Sequence, residues 1–366
     1  MKCLHIVSGD LWAGAETATT ALLAELRTRK NVEPAALLLN DGRMAEELRR
    51  SGVSISVACE ASTGMLALGR TVRAAALALG AEIVHSHRYK EHLLGAWAVA
   101  GRRIAHVRTA HGLPPAIGLS GRGLAALADA ALCRAGGASW IAVSDDLAAR
   151  LRGAKQNVAV VRNGLPEAGP PPRPDLLASK AGAMLVGFVG RLEPIKRPDR
   201  FLEILAALGP EVGGIPVRGV VAGSGSLDAP MRALATERGL DGRVVFLGDA
   251  DDGAAVVAAL DILVVSSDHE GHPMVVLEAM RAGVPIVAAR VGGLPEVLPA
   301  DEFLPRAEDV GAFAAAVRRL LDDADLRRRR GADQRESFLR TFSVRATADR
   351  VLEVYREALG RRRDRR

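Results

Sequence analysis

The chain has 366 residues, of which 49% are hydrophobic and 25% charged, a balance that excludes disordered and fibrous classes and leaves room for two ordinary domains. Its three cysteines, Cys3, Cys59 and Cys133, are odd in number and widely spaced, which excludes a disulfide framework and a Cys-x-x-Cys zinc site and suits a reducing cytoplasm. Residues 1–165 hold 20 Lys/Arg against 13 Asp/Glu and the remainder 29 against 30, so the first half is basic; no aromatic-interleaved basic stretch accompanies it, which disfavours nucleic acid as a partner.

In chain order, Leu4–Ser8, Ala35–Asn40, Val53–Val57, Ile83–Ser86, His106–Ala110, Trp140–Ser144 and Val158–Val161 read as strands. The opening strand is too short for the apolar core of a signal peptide. Helical stretches lie between the strands, such as Glu16–Arg29 with Leu22, Leu23 and Leu26 on one face. Near-continuous apolar strands alternating with helices imply parallel sheets covered on both faces. Residues 166–183, with five prolines, fit no periodic element and read as a linker. The alternation then restarts with strands at Met184–Val189, Val217–Ala222, Val244–Leu247, Ile262–Val265 and Pro285–Ala289. Residues 312–359 are helical and charged on one face. The division expected is 1–165, linker 166–183, 184–341, and a terminal helix with basic tail over 342–366. No uncharged apolar run approaches the roughly 20 residues of a membrane span, yet the basic half and the Arg-rich tail suit contact with an anionic membrane surface or a phosphorylated acceptor.

Ligands of such sheets bind beyond the carboxyl ends of the strands, so the chemistry is sought there. After Ile262–Val265 comes Glu270-Gly271-His272-Pro273-Met274-Val275-Val276-Leu277-Glu278. Pro273 suits the first turn of a helix, and the free amides of Met274, Val275 and Val276 would face the loop, a ready diphosphate site. Glu278, one turn on, is placed to bond a ribose hydroxyl. After Met184–Val189 come Arg191 and Lys196, which are either solvated cations or partners for two phosphates. Val221-Ala222-Gly223-Ser224-Gly225 is a tight turn permitting close backbone approach. Asp228 stands where a dinucleotide fingerprint needs its third glycine, and no Walker A string occurs. In the first half, Gly9–Glu16 links strand to helix. His111 follows a buried strand and is either a structural histidine or one facing a ligand. Alternation sends His85 and His87 to one side of their strand, as packing or acceptor-loop residues; a metal pair is disfavoured.

These motifs, in this order, resemble glycosyltransferase family 4, the retaining GT-B enzymes of group 1. The usual Glu-Gly-Phe-Gly-Leu-Pro-x-Leu-Glu-Ala-Met of that family keeps Glu270, Gly271, Leu277, Glu278, Ala279 and Met280 here, while His272-Pro273-Met274-Val275 depart from it. Gly190-Arg191-Leu192 with Lys196 resembles its diphosphate clamp, and Phe246–Ala250, including Asp249, its base-contacting loop. Its Gly-Gly-x-Glu appears as Ala13-Gly14-Ala15-Glu16, and Trp140–Ser144 and Val161–Gly164 complete the pattern.

The resemblance implies an α/β GT-B fold of two doubly wound Rossmann-like domains facing a central cleft, with a final helix, here Phe342–Leu359, crossing back to the first domain. It implies His111 and Glu270 as catalytic groups. Donor contacts would come from Gly14, Arg191, Lys196, Gly225, Asp249, Met274, Val275, Val276 and Glu278. The acceptor side would hold Ala13, Glu16 and His87. The reaction implied is retaining transfer from a UDP- or GDP-linked sugar, without metal or other cofactor. The acceptor would be a glycan, a lipid-linked or a small molecule, in cell-envelope or exopolysaccharide synthesis at the cytoplasmic membrane face. A nucleotide-sugar epimerase or hydrolase, or a non-catalytic sugar-nucleotide-binding subunit, would share the architecture.

Overall fold

A computed structural model describes residues 1–9, 12, 14–112, 138–152, 157–180, 182–249, 252–299, 301, 303 and 305–364. The chain forms two compact units, Met1–Gly164 with Val344–Arg366, and Leu165–Ser343.

The first unit is built on seven strands, β1 (Lys2–Val7), β2 (Glu33–Leu38), β3 (Ser54–Val57), β4 (Ile83–Ser86), β5 (Ala105–Ala110), β6 (Ser139–Ala142) and β7 (Val158–Val160). They pair in parallel in the order β3-β2-β1-β4-β5-β6-β7. The winding reverses between β1 and β4, so the loops leaving their carboxyl ends diverge and open a crevice. Helix Gly14–Thr28 turns Leu22 and Leu26 inward, four residues apart on one face. The last helix, Val344–Asp364, does the same with Ala348, Val351, Leu352, Tyr355 and Ala358. Both helices share one core with Ile83, Val107 and Ile141 of the sheet. The terminal helix is therefore structural to the first unit, as the resemblance implies.

The second unit repeats the design with β8 (Met184–Val189), β9 (Glu211–Val212), β10 (Ile215–Ala222), β11 (Val244–Gly248), β12 (Ile262–Val265) and β13 (Ile286–Ala288). The parallel order is β11-β10-β8-β12-β13, with β9 added antiparallel to β10; this two-residue strand has no signature in the sequence pattern. Here the winding reverses between β8 and β12. Helices Pro198–Leu208 and Val310–Asp322 bury Phe201 and Phe313 against Val264 and Val287. The helical stretch expected over 312–359 is three helices, Val310–Asp322, Ala324–Thr341 and Val344–Asp364. Asp309 and Asp323 accept the amides of Ala312 and Leu326 and so start the first two.

Residues 166–183, expected as a linker, lie within the second unit. Their prolines break periodicity without preventing packing. Pro174 opens a short helix, Pro174–Ser179, Leu176 is buried, and Arg173 donates its amide to Ala255 O at 3.1 Å. Arg281 Nη1 reaches Pro166 O and Ala168 O, each at 3.4 Å.

Phe313 is 0% exposed. Phe313→Ala is expected to destabilise the second unit by about 3–5 kcal/mol through lost transfer energy and the residual cavity. Urea unfolding followed by circular dichroism measures this; a loss under about 1 kcal/mol would show that the helix does not seal this core.

Candidate active site

In the second unit the site residues gather where the winding reverses. Lys196 ends the short 3-10 turn Pro194–Lys196 after β8, and Glu270 lies in the loop after β12. Because β8 and β12 are hydrogen-bonded neighbours, the two side chains meet. Lys196 Nζ donates to Glu270 Oε1 at 2.6 Å and Oε2 at 2.8 Å. Ser267 Oγ donates to Oε1 at 2.6 Å. Glu270 is buried and Lys196 half-buried, so the carboxylate is held inside while the ammonium keeps an outward side. Arg191, just after β8, is exposed and makes no ion pair among the described residues. The adjacent Arg197 is otherwise engaged: it binds Asp199 and Asp268, and the Asp199 carboxylate holds its guanidinium above its ordinary range.

The helix that follows spans Met274–Ala282, with Pro273 as its N-cap in extended conformation rather than in its first turn. Val276 N–H is already donated to Pro273 O at 3.2 Å. The three free amides expected are therefore two, Met274 and Val275, which have no backbone acceptor among the described residues. Glu278 is half-buried. Burial pushes its carboxyl up to about 7; Arg281 opposes this and Asp252 adds to it.

Two glycines back this site. A side chain at Gly225 would place Cβ 2.4 Å from Leu192 O. The close approach read from the sequence is thus made by the protein's own neighbouring loop. A Cβ at Gly292, whose φ is +51°, would lie 1.9 Å from Glu270 O, and Gly293 N–H donates to that same oxygen at 2.9 Å. Ser267, Gly292 and Gly293 were missed by sequence reasoning, although the Gly-Gly pair after β13 was visible. Asp249 is exposed after β11, and Ala250 lies outside the described residues.

In the first unit, the crevice between β1 and β4 holds a different chemistry. Glu16, expected on the acceptor side, is wholly buried and turned inward to Arg88, which is 34% exposed on its side chain. The outward-facing member of this pair is the arginine. Gly14 opens the first helix, and Ala13 lies outside the described residues. His87 is buried rather than available at a surface. His85 and His87 do share one side of the chain, with ring centroids 4.4 Å apart and planes within 24°. His111, half-buried, meets His87 through Nε2 to Nδ1 at 3.3 Å. His5, directly across from His85 in register, and Tyr355 complete the cluster; neither was singled out from sequence, because a lone histidine in a strand and a tyrosine in a terminal helix carry no motif.

His5, His85 and His87 bring nitrogens within 4.8 Å of one another, a density that could suit a metal. The geometry does not. The ring nitrogens are already joined in hydrogen bonds, His5 Nδ1 with His87 Nε2 at 3.0 Å and His5 Nε2 and His85 Nδ1 with the Tyr355 hydroxyl at 3.0 and 2.7 Å, closer than the roughly 3.3 Å between two nitrogens on one tetrahedral ion. Burial holds these rings neutral: His5 falls to about 3 and His111 to about 4, His111 also feeling Arg88. His85 and His87 are lowered by burial and then by neighbouring histidines.

The family model described as Glycosyl transferases group 1 matches residues 183–323, and that of Glycosyltransferase Family 4 matches residues 12–168. The chain belongs to the group 1 glycosyltransferases of family 4. A D-inositol 3-phosphate glycosyltransferase of Corynebacterium glutamicum is 37% identical over 183 residues, 48% of this chain and 44% of that protein. The chain thus spans under half the length of the curated relatives it matches. Among solved structures, Anabaena HepE in complex with UDP-glucose has a TM-score of 0.84 at 22% identity, covering 98% of this chain and all of that one. Sucrose-phosphate synthase from Thermosynechococcus elongatus has a TM-score of 0.76 at 21% identity, covering 99% and 100%. At such identities the likeness concerns the fold, which is GT-B.

For this family 4 chain, Glu278 supplies a test of site electrostatics. Its native carboxyl holds a proton up to about 7 against an ordinary value of 4.5. Between these values the unfolded chain has released a proton that the native chain retains, so this group's contribution to stability falls as pH rises. Glu278→Gln is expected to be about 1–2 kcal/mol more stable than the parent at pH 8 and to show no such gain at pH 4.5 or below. Urea unfolding at the two pH values measures it; an equal effect at both removes the assignment.

Proposed function

We propose that this chain transfers a glycosyl group, with retention, from a nucleotide-diphosphate sugar to a hydroxyl acceptor. The observation that carries the reading is the Lys196–Glu270 pair at the β8/β12 reversal, beside exposed Arg191 and the open amides of Met274 and Val275. In such a transfer the bond from the anomeric carbon to the diphosphate oxygen breaks and a bond to the acceptor oxygen forms. The acceptor's proton leaves with the departing phosphate. Negative charge grows on the leaving group, where Lys196, Arg191 and the helix amides supply fixed positive charge. The reading assigns this work to protein groups, with no metal ion or other cofactor. Glu270, held by Lys196 and Ser267, positions sugar hydroxyls rather than attacking the sugar. His111, a neutral imidazole, orients the sugar on the acceptor side. A Glu278 half-protonated near neutrality meets a ribose hydroxyl without adding a full charge beside the diphosphate.

Two features support narrower choices. UDP is the first base to test, since HepE was crystallised with UDP-glucose. A phosphorylated small polyol is the first acceptor to test, given the name of the Corynebacterium relative and the basic first half of the chain. Incubation with UDP- and GDP-sugars and inositol phosphate, read by mass spectrometry, is expected to give a glycosylated acceptor. An epimerised sugar formed without acceptor, or binding without turnover, overturns the transfer reading. Lys196→Ala is expected to lower turnover about 10²–10³-fold with an unchanged circular dichroism spectrum; undiminished turnover removes Lys196 from the diphosphate site.

Contact with an anionic membrane at the cytoplasmic face is a lesser part of the reading, supported by the surplus of Lys/Arg in residues 1–165 and the Arg-rich tail. No helix among the described residues is long and apolar enough to cross a membrane. Sedimentation with anionic vesicles is expected at low salt and is expected to vanish at high salt; no sedimentation at low salt removes it.

A further inference from the structure

Six polar groups of the first unit, His111, His87, His5, Tyr355, His85 and Thr109, form one continuous chain. His111 Nε2 meets His87 Nδ1 at 3.3 Å, and His87 Nε2 meets His5 Nδ1 at 3.0 Å. His5 Nε2 meets Tyr355 Oη at 3.0 Å, and that hydroxyl meets His85 Nδ1 at 2.7 Å. His85 Nε2 ends the chain on Thr109 Oγ1 at 2.7 Å. The His87–His111 centroids lie 5.6 Å apart with planes 23° from parallel; with the nitrogens at 3.3 Å, the rings meet edge to edge, as a directed hydrogen bond requires. At the far end, His111 Nδ1 is buried and has no hydrogen-bond partner among the described residues.

We propose that His5, His85, His87 and Tyr355 are positioning residues that decide whether His111 presents an N–H or a lone pair at Nδ1. The proposal rests on the reading of His111 as substrate-facing, and it follows from counting protons. A neutral imidazole has one N–H and one lone pair, and a phenol has one hydrogen. If Tyr355 donates to His5 Nε2, then His5 donates from Nδ1 to His87, His87 from Nδ1 to His111, and His111 keeps its proton on Nδ1. Tyr355 then accepts from His85 Nδ1, and His85 Nε2 accepts from Thr109. If Tyr355 donates to His85 instead, every link reverses and all four rings carry the proton on Nε2. Reversing a single link would set two N–H groups or two lone pairs face to face in a dry interior, which is costly. Thr19 Oγ1, 3.3 Å from His87 Nδ1, fits either arrangement, because a hydroxyl both donates and accepts.

The four histidines therefore share one tautomer, and the character of His111 Nδ1 is set at Tyr355, three hydrogen bonds away along the chain. His87, Thr109 and His111 also line a small pocket with Thr19 and Asn163, whose free volume of ≈ 20 Å³ admits a single water-sized group. A sugar hydroxyl entering beside His111 would meet a donor or an acceptor, but not a ring free to choose.

The test is long-range nitrogen–proton NMR on the full chain with ¹⁵N-labelled histidine and no substrate present. The expected result is the same tautomer for His5, His85, His87 and His111; a mixed set overturns the proposal. In Tyr355→Phe, which keeps the ring and loses the bridging hydroxyl, the His111 nitrogen shifts are expected to move although Tyr355 does not bond His87 or His111. An unchanged His111 spectrum in that folded variant overturns it as well. The wild-type measurement stands even where the variant fails to fold. It needs no turnover, so a shared tautomer with no transfer to any acceptor would remove only the functional reading.

Discussion

Everything chemical in this molecule depends on one constraint of parallel sheets. Strands wound by right-handed crossovers can be covered on both faces only if the winding reverses once, and at that point the loops leave in opposite directions. In the second unit this lies between β8 and β12, and it converts a sequence separation of 74 residues into a contact of 2.6 Å between Lys196 and Glu270. In the first unit it lies between β1 and β4, where His5 and His85 stand opposite one another in register. No local preference of either segment could have made these contacts.

The two reversals handle buried polarity in opposite ways. The second unit keeps charge. A lysine with a flexible stem and partial exposure forms an ion pair with a buried carboxylate, and Ser267 satisfies a further lone pair of that carboxylate. The histidine cluster of the first unit is instead neutral, beside the Glu16–Arg88 ion pair. His5, His85 and His87 are enclosed on all sides, so their imidazoles give up the second proton and bond as neutral groups. The difference follows from residue type. A buried Lys or Glu left without a partner would cost several kcal/mol, whereas histidine can become neutral within a unit or two of its ordinary titration range.

Much of the fold was legible because alternation of apolar runs with helical faces is a local property. Ile83–Ser86, Met184–Val189 and Ile262–Val265 have the bounds read from sequence, and the others differ by one or two residues at their ends. The short β9 was not legible, since two residues have no periodicity. The site was legible in part. The spacing of Arg191, Lys196, Glu270 and Glu278 brought them to one end of one sheet, but nothing local told that Val276 N–H would turn back on Pro273 or that Glu16 would face Arg88. The His5–Tyr355 contact joins the first strand to the last helix. It depends on the helix register, with Tyr355 sharing a face with Val351 and Leu352, and so belongs to tertiary packing rather than to any motif.

Glycine is where sequence and structure differ most instructively. A glycine-rich turn after a β-strand is readily taken as a place where a ligand's phosphate approaches the backbone. At Gly225 and Gly292 the approaching atoms are carbonyl oxygens of the protein itself, Leu192 O and Glu270 O. These glycines let four loops at one end of the sheet stack backbone on backbone in two pairs. Leu192 N–H donates to Ser224 O and Gly293 N–H to Glu270 O, each at 2.9 Å. The loop bearing Glu270 is thereby fixed through its main chain, independently of the side-chain contacts from Lys196 and Ser267. The side chain of Glu270, bonded to Lys196 and Ser267, therefore does not have to hold the loop in place. A side chain at Gly292 would disturb the acid through its own carbonyl, without touching the carboxylate.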